Sequence, residues 1–351
     1  MSNNSRPGNA EELKAKITQA LKSVKKYQDP DHKKAIIQIL NSFGPFIAVW
    51  IAMFLLWDIS KLAVIGLGFL NALFLVRIFI IQHDCGHQSF VKSKKARDTI
   101  GYVCSLFSSI PYAYWAKSHH FHHENNGMLE VRDIGDIHTL TVKEFNQMSK
   151  FKRFWYRIYR SPIVMFVLGP VYYILIHNRL PLINLPDFKK VYPSLHINNL
   201  LIIGLFISLV FLIGYEFLAI HFIILGFFSI IAIWFFYIQH QHEYGYKEWK
   251  DKWEYLIAAI RGSSYYKLPG WMNWFTGNIA IHHIHHLNPA IPNYNLKKCV
   301  DEIPWFNKFT TEITFLQSLK LARNKLWDEA NERMITLKEY YHMERMGLVQ
   351  V

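Results

Sequence analysis

Four histidines fall within five positions at His119, His120, His122 and His123, and the arrangement returns at His282, His283, His285 and His286. A shorter pair, His83 and His87, stands in IQHDCGHQSF, and His240 and His242 follow in FYIQHQHEYGY. Residues at i, i+3 and i+4 share one face of a helix. His83 and His87 are spaced i, i+4; His119, His122 and His123, like His282, His285 and His286, are spaced i, i+3, i+4. His120 and His283 are each turned by about 100° from that face and read as fillers. His242, two residues past His240, also faces away on a helix. Nine imidazoles in register would repel one another if protonated, and would lack partners if buried neutral. A metal removes both difficulties by binding neutral imidazole nitrogen. Nine ligands exceed the needs of one ion, since zinc takes about four and iron at most about six. Two ions would share them and keep open positions, the mark of catalytic rather than structural metal. Imidazole suits zinc, copper, iron and nickel alike, so spacing leaves the metal open.

The elements that must position these rings are long and apolar. Two runs come first, about 36–57 and 62–81, and two more follow at about 197–214 and 217–238. Each approaches the ~20 residues that cross ~30 Å of hydrocarbon. Backbone in lipid must satisfy its own hydrogen bonds, so these are read as helices, paired into two hairpins by very short connections. Weaker stretches at 100–114 and 163–176 are interrupted by Pro111 and Pro170 and read as interfacial or re-entrant, with two further spans as the alternative. Of the 39 Lys and Arg, only Lys61 falls in the short connections and only Arg77 within a span. The remainder occupy one face, which the positive-inside bias makes cytoplasmic. That face carries the N-terminus, the C-terminus and every histidine cluster. The expected fold is therefore an all-α integral membrane protein with four transmembrane helices, interfacial helices and a cytoplasmic helical cap around a dimetal site. It divides into an N-terminal arm (1–35), a membrane domain (36–330) and a C-terminal tail (331–351).

Composition removes other classes. The formal charge of +13 suggests nucleic acid, but the basic residues flank apolar spans and no nucleic-acid motif is present. Three scattered cysteines make neither a disulfide framework nor a CxxC site. The N-terminus lacks the apolar core of a secretory signal. A metal transporter would place polar ligands at mid-membrane, where these spans carry almost none; His221 lies near the outer end of its span and His196 just before the third.

HDCGH, HHFHH and HHIHH resemble the three histidine boxes of the membrane fatty acid desaturases. GDIHTLTVKEF, GSSYYKLP and WFTGNIAIHHIHHLNPAIPNYNL extend the likeness over about residues 36–330, most closely to bacterial acyl-lipid desaturases of the Δ12/ω-6 and Δ5 type. The resemblance implies a non-haem di-iron centre that uses O2 and removes two hydrogens from adjacent methylenes, leaving a cis double bond. It implies His83, His87, His119, His122, His123, His282, His285 and His286 as ligands, with His240 as an extra family histidine. Asp84 is a candidate partner for an imidazole N–H. Asp133 and Asp136 are candidate counter-charges, with a solvated loop as the alternative. Arg261, His138 and His242 stand where relatives often carry other residue types.

The expected substrate is a fatty acyl lipid arriving from the bilayer of a bacterial inner membrane. Its tail would thread a tunnel with Tyr112, Trp115, Trp234, Phe235, Trp271, Trp274 and Phe275 as candidate lining, unless these rings are interfacial anchors. No flavin or dinucleotide fingerprint is present, so electrons are expected from a separate carrier such as ferredoxin, with Lys247, Lys250 and Lys252 as expected contacts. A hydroxylase or ketolase of alkane, sterol or carotenoid, built on the same boxes, is the rival reading.

Overall fold

The computed structural model describes residues 10–349; the first nine residues of the expected arm and the last two of the tail lie outside them. After α1 (Ala10–Val24), Asp31 and Ser60 start the first two long helices. Their side chains accept the N–H groups of Lys34 and Ala63 at 3.1 and 3.2 Å, each such cap stabilising by about 1 kcal/mol. α2 (His32–Leu55) and α3 (Lys61–Gly86) form one hairpin, and α10 (Tyr192–Ile213) and α11 (Glu216–His240) the other. Among the described residues these four helices are each long and apolar enough to cross a membrane. α3 and α11 run past the apolar runs on which the sequence ends them, to Gly86 and His240, so rigid helix extends to the histidines. α3 sits inside, against α2, α4 (Lys94–Ser108) and α11. α10 sits outside, with Phe211 87 % and Leu212 80 % exposed.

The weak stretch at 100–114 is split. α4 ends at Ser109, in the left-handed region at φ 58°, and α5 (Tyr112–Asn125) starts after Pro111. Gln82 fixes this turn, since its Nε2 donates to the Ile110 carbonyl at 3.0 Å and its Oε1 accepts from Ser108 Oγ at 2.7 Å. α6 (Val142–Gln147) begins with a Thr141–Glu144 capping box. A π-helical turn (Val164–Leu168) and α8 (Gly169–Leu175) cover the second weak stretch, and α7 (Lys150–Tyr159) precedes it. These segments meet at a 50° bend and count as a fifth crossing only if taken as one bent span. After α9 (Pro186–Lys189) and the second hairpin come α12 (Tyr255–Arg261), α13 (Gly270–Phe275), α14 (His282–Leu287) and α15 (Asn293–Glu302). α16 (Phe315–Leu321) and α17 (Leu337–Arg345) finish the order.

The cap is not wholly helical, a correction to the expected all-α class. β1 (Ser264–Lys267) pairs in parallel with β2 (Thr311–Thr314), Ser264 opposite Thr311. β3 (Asn324–Asp328) pairs antiparallel with β4 (Arg333–Thr336), Leu326 opposite Ile335. These strands hold four or five residues, and β3 is buried throughout, so the alternation that marks a strand is missing. The expected boundary at 330 falls in the turn between β3 and β4, so residues 333–336 pair back rather than begin a separate tail.

Arg160 ties this hairpin to the rest. Its buried guanidinium donates to the His138 carbonyl (3.0 Å), Thr139 Oγ1 (3.1 Å), Gln241 Oε1 (3.2 Å) and the Asn324 carbonyl (3.0 Å). Gln241 directly follows His240, so one cation joins the C-terminal hairpin to the end of α11.

Candidate metal centre

Four elements deliver imidazoles to one place. His83 sits in the last turn of α3, and His87 caps that helix, its N–H bonding the His83 carbonyl at 3.1 Å. α5 brings His119, His122 and His123; α11 ends on His240; α14 brings His282, His285 and His286. The rings sort into two groups. The ligand atoms of His83, His87, His119, His123 and His285 lie within 4.8 Å of one another, as do those of His122, His240 and His286. His282 Nε2 lies 2.9 Å from His240 Nε2 and 3.1 Å from His286 Nε2, which joins it to the second group. Neighbouring residues feed different groups: His122 and His123 part company, as do His285 and His286. The rings of His123 and His286 stack between the groups at 4.0 Å.

Donors and acceptors do not balance without a cation. His83 Nδ1 lies 2.9 Å from Asp84 Oδ1, so that nitrogen carries the proton and leaves Nε2 as a lone pair. His83 Nε2 and His87 Nε2 are buried with no hydrogen-bond partner. His240 Nδ1 faces the Gly262 carbonyl at 3.2 Å and must donate, so its Nε2 lone pair points at the Nε2 atoms of His122 (3.2 Å) and His282 (2.9 Å). Ligands on adjacent positions of one ion, with metal–nitrogen bonds of about 2.1 Å, stand about 3.0–3.4 Å apart. The residues present therefore fit two metal ions.

Electrostatics point the same way. Burial first, then neighbouring imidazoles, holds His119, His123, His282, His285 and His286 well below the usual histidine range. His122 is pushed down to about 4 by burial, with Asp136 opposing and Lys247 reinforcing. Neutral rings are the form a metal binds. Asp84 is the one carboxylate in hydrogen-bond contact with this set among the described residues. Its second oxygen accepts from Asn293 N (2.6 Å) and Nδ2 (2.8 Å), which explains an asparagine in the NPAIPNYN segment. The loop at Gly135 packs against α5 so closely that a Cβ there would lie 3.0 Å from His122 Cβ, and its φ is +71°.

The other histidines stay out. His120 is exposed and pairs with Glu124 at 3.1 Å, while His283 Nε2 meets Asn307 Oδ1 at 3.1 Å. His242 is buried, lies beyond the end of α11, and joins neither group. Asp133 is engaged by His138, and Asp136 Oδ1 accepts the Ile137 N–H at 2.6 Å.

Below the rings lies a cavity of about 810 Å³. Three helix faces line it: Val76, Phe79, Ile80 and His83 on α3; Ile231, Phe235 and Gln239 on α11; Trp115 and His119 on α5. The positions recur at helical spacing, so His83 and His119 stand at the upper ends of the α3 and α5 stripes, while the α11 stripe ends at Gln239, next to His240. His83 and His119 of one group and His282 of the other all face the space.

A family model described as "Fatty acid desaturase" matches residues 60–310. A "Fatty acid desaturase" of Bacillus subtilis (strain 168) is 38% identical over 329 residues, 93% of each chain. The chain belongs to the fatty acid desaturase family. An "sn-1 oleoyl-lipid 12-desaturase" of Anabaena variabilis is 24% identical over 277 residues, covering 78% of this chain and 75% of its own. An "sn-1 acyl-lipid omega-3 desaturase (ferredoxin)" of Nostoc sp. (strain 36) is 26% identical over 244 residues, 64% and 63% of the two chains. This desaturase is accordingly an oxidoreductase that acts in lipid metabolism.

Of the expected tunnel residues, only Trp115 and Phe235 line the desaturase's cavity. Tyr112 packs edge-on to Tyr102, and Trp234 against Phe166. Phe275 meets Phe74, Trp274 stacks under Arg77 at 4.0 Å, and Trp271 is 60 % exposed. Aromatic content alone does not tell lining from anchoring. The signal that finds the lining is the i, i+3, i+4 register running back from His83 and His240, which picks out Phe79 and Phe236. The expected carrier contact at Lys247 is also corrected: its side chain is only 8 % exposed, and burial lowers its pKa. The Lys250 backbone N–H bonds the Glu130 carboxylate at 3.0 Å, so that surface is not simply basic.

Proposed function

We propose that the two histidine groups hold two irons, and that the enzyme places a cis double bond in an acyl chain of a membrane lipid. The observation that carries this reading is the convergence of nine imidazoles in two groups, with the Nε2 atoms of His83 and His87 left without a partner, above an apolar cavity that His83, His119 and His282 face. His83, His87, His119, His123 and His285 would hold one ion; His122, His240, His282 and His286 the other. When bound, the irons supply the dioxygen-dependent oxidising power that an unactivated methylene requires. The chain's residues do the rest. The stripes of α3, α11 and α5 hold the acyl tail extended and exclude water beside the rings. Asp84 holds the His83 N–H and so keeps Nε2 free for metal.

Dioxygen reduced to water takes more electrons than two C–H bonds provide, so an external carrier is required, and ferredoxin suits this role. The relative named with ferredoxin supports it. α2, α3, α10 and α11 would span a bacterial inner membrane, with both termini and the histidines on the cytoplasmic side, as the placement of Lys and Arg supports. Expression in a host lacking its own desaturase, followed by fatty acid analysis with double-bond localisation, tests the reading. A new cis-unsaturated lipid is expected. Hydroxylated or unaltered lipid from membrane-inserted, iron-loaded protein would overturn it.

A further inference from the structure

His87 stands where α3 stops. The helix closes around it with the two bonds of a Schellman end: Gln88 N–H donates to the Cys85 carbonyl at 3.1 Å, and Ser89 N–H donates to the Asp84 carbonyl at 3.0 Å. The left-handed position of such an end usually belongs to glycine, yet Gln88 holds it at φ 61°. His87 is half-buried, while its Nε2 is fully buried without a partner. A ring on the last residue of a helix, followed by a costly backbone conformation, is poorly fixed by the helix itself.

α15 supplies what the helix lacks. Its first two residues grip the turn on either side of His87, each grip three positions away. Asn293 donates to the Asp84 carboxylate from N and Nδ2, at 2.6 and 2.8 Å. Tyr294 Oη donates to the Phe90 carbonyl at 2.9 Å, and its ring meets the buried Phe90 ring with centroids 6.1 Å apart. α15 is itself held. The same Tyr294 hydroxyl accepts the Asp31 N–H at 3.0 Å. Asn295 accepts from Lys34 Nζ and donates to the Tyr27 carbonyl, both at 3.0 Å. At the far end Tyr27 Oη donates to Glu302 at 2.6 Å. The segment before α2 thus fastens α15 at both ends, and Tyr294 is where the two sets of bonds meet.

We propose that Tyr294 is a positioning residue for His87: with Asn293 it pins both ends of the Asp84–Phe90 turn, so that α15 sets where His87 presents its Nε2. This rests on the reading that the histidine groups hold iron. Both bonds of the Tyr294 hydroxyl are to backbone, so it acts through the turn and not on the ion. Asn293 alone fixes the Asp84 side, which leaves the chain after His87 free to swing about Gln88 once the Phe90 bond is lost.

The test compares two variants of the full-length enzyme, each lacking one hydroxyl between the N-terminal segment and α15. Tyr294→Phe keeps the ring against Phe90 and cuts the bond to its carbonyl. Tyr27→Phe cuts the bond to Glu302 and leaves the turn at His87 untouched. Iron affinity is read by chelator competition and the iron environment by Mössbauer spectroscopy. Tyr294→Phe is expected to lower affinity about tenfold, and to shift or broaden the signal that survives in His240→Ala, where the five-histidine group is spared. Tyr27→Phe is expected to keep affinity within about twofold and the spectrum unaltered, although it too loses a hydrogen bond and unfolds at a lower temperature. Wild-type affinity and spectrum in Tyr294→Phe would overturn the proposal, as would equal losses in the two variants. Wild-type protein that takes up no iron defeats the metal reading instead, so the two failures are distinct.

Discussion

Two buried clusters of nitrogen atoms hold distant parts of this chain together, and they do it in opposite ways. Around Arg160 the protein brings its own cation: a guanidinium meets four oxygens from the His138–Thr139 loop, Gln241 and the β3 strand. At the histidine groups it brings only lone pairs. His83 and His87 end in Nε2 atoms with no donor, and His240 presents its Nε2 to two others. The first cluster is complete as it stands and is structural; the second is complete only with a cation from outside. An unmatched set of acceptors, rather than the number of histidines, separates a site from a brace.

The largest effect that can break this contrast is removal of a ring. His240→Ala takes one nitrogen from the smaller group and leaves the five-histidine group intact. Bound iron is expected to fall from about two ions per chain to about one, and lipid desaturation to disappear; full activity with undiminished iron would refute the assignment. Arg160→Met strands four buried acceptors and is expected to cost at least about 3 kcal/mol, read as earlier thermal loss of folded structure in detergent. Metal uptake at saturating iron should survive it, and parallel loss of both would mean that the clusters are one unit. Asp84→Asn keeps the shape but weakens the charge behind His83. Activity should drop about 10- to 100-fold through lower iron affinity, measured by chelator competition.

A gentler probe sits beside the brace. Burial, then Arg160, lowers the Lys325 pKa to about 7. The unfolded chain therefore binds more protons than the native one between about pH 7 and the ordinary lysine range, so stability should rise with pH across that window. Below about 7 both states are protonated and the contribution levels off. Lys325→Met should flatten the slope in melting experiments; an unaltered slope would assign it to another group. The smallest effect belongs to His120, whose exposed pair with Glu124 stands outside both groups. His120→Ala should leave iron content and turnover within about twofold, since exposed pairs contribute little. A larger loss would bring it into the centre.

The sequence makes the lone-pair cluster easier to read than the brace. Histidines at i, i+3 and i+4 carry their geometry in their spacing, and the structure gathers all nine while turning His120 to the surface and the buried His283 toward Asn307. The apolar runs likewise become four helices within a few residues of the expected limits, apart from the extensions to Gly86 and His240. Arg160 leaves no such trace. A basic residue in KFKRFWYRIYR reads as a solvated or interfacial charge, and only the fold of β3 brings acceptors to it. The cavity lining was half legible. Trp and Phe content points toward Trp271 and Trp274, which pack elsewhere, whereas the stripe behind His83 on α3 follows from helical periodicity alone.

Adjacent residues on α5 and on α14 serve different groups, since His122 and His286 belong to one and His123 and His285 to the other. If the two groups hold ions as proposed, seating the first would fix the pitch and rotation of both helices before the second arrives. Loading should be cooperative: an iron titration should show few singly occupied molecules, and partly starved cells should contain a mixture of empty and full enzyme.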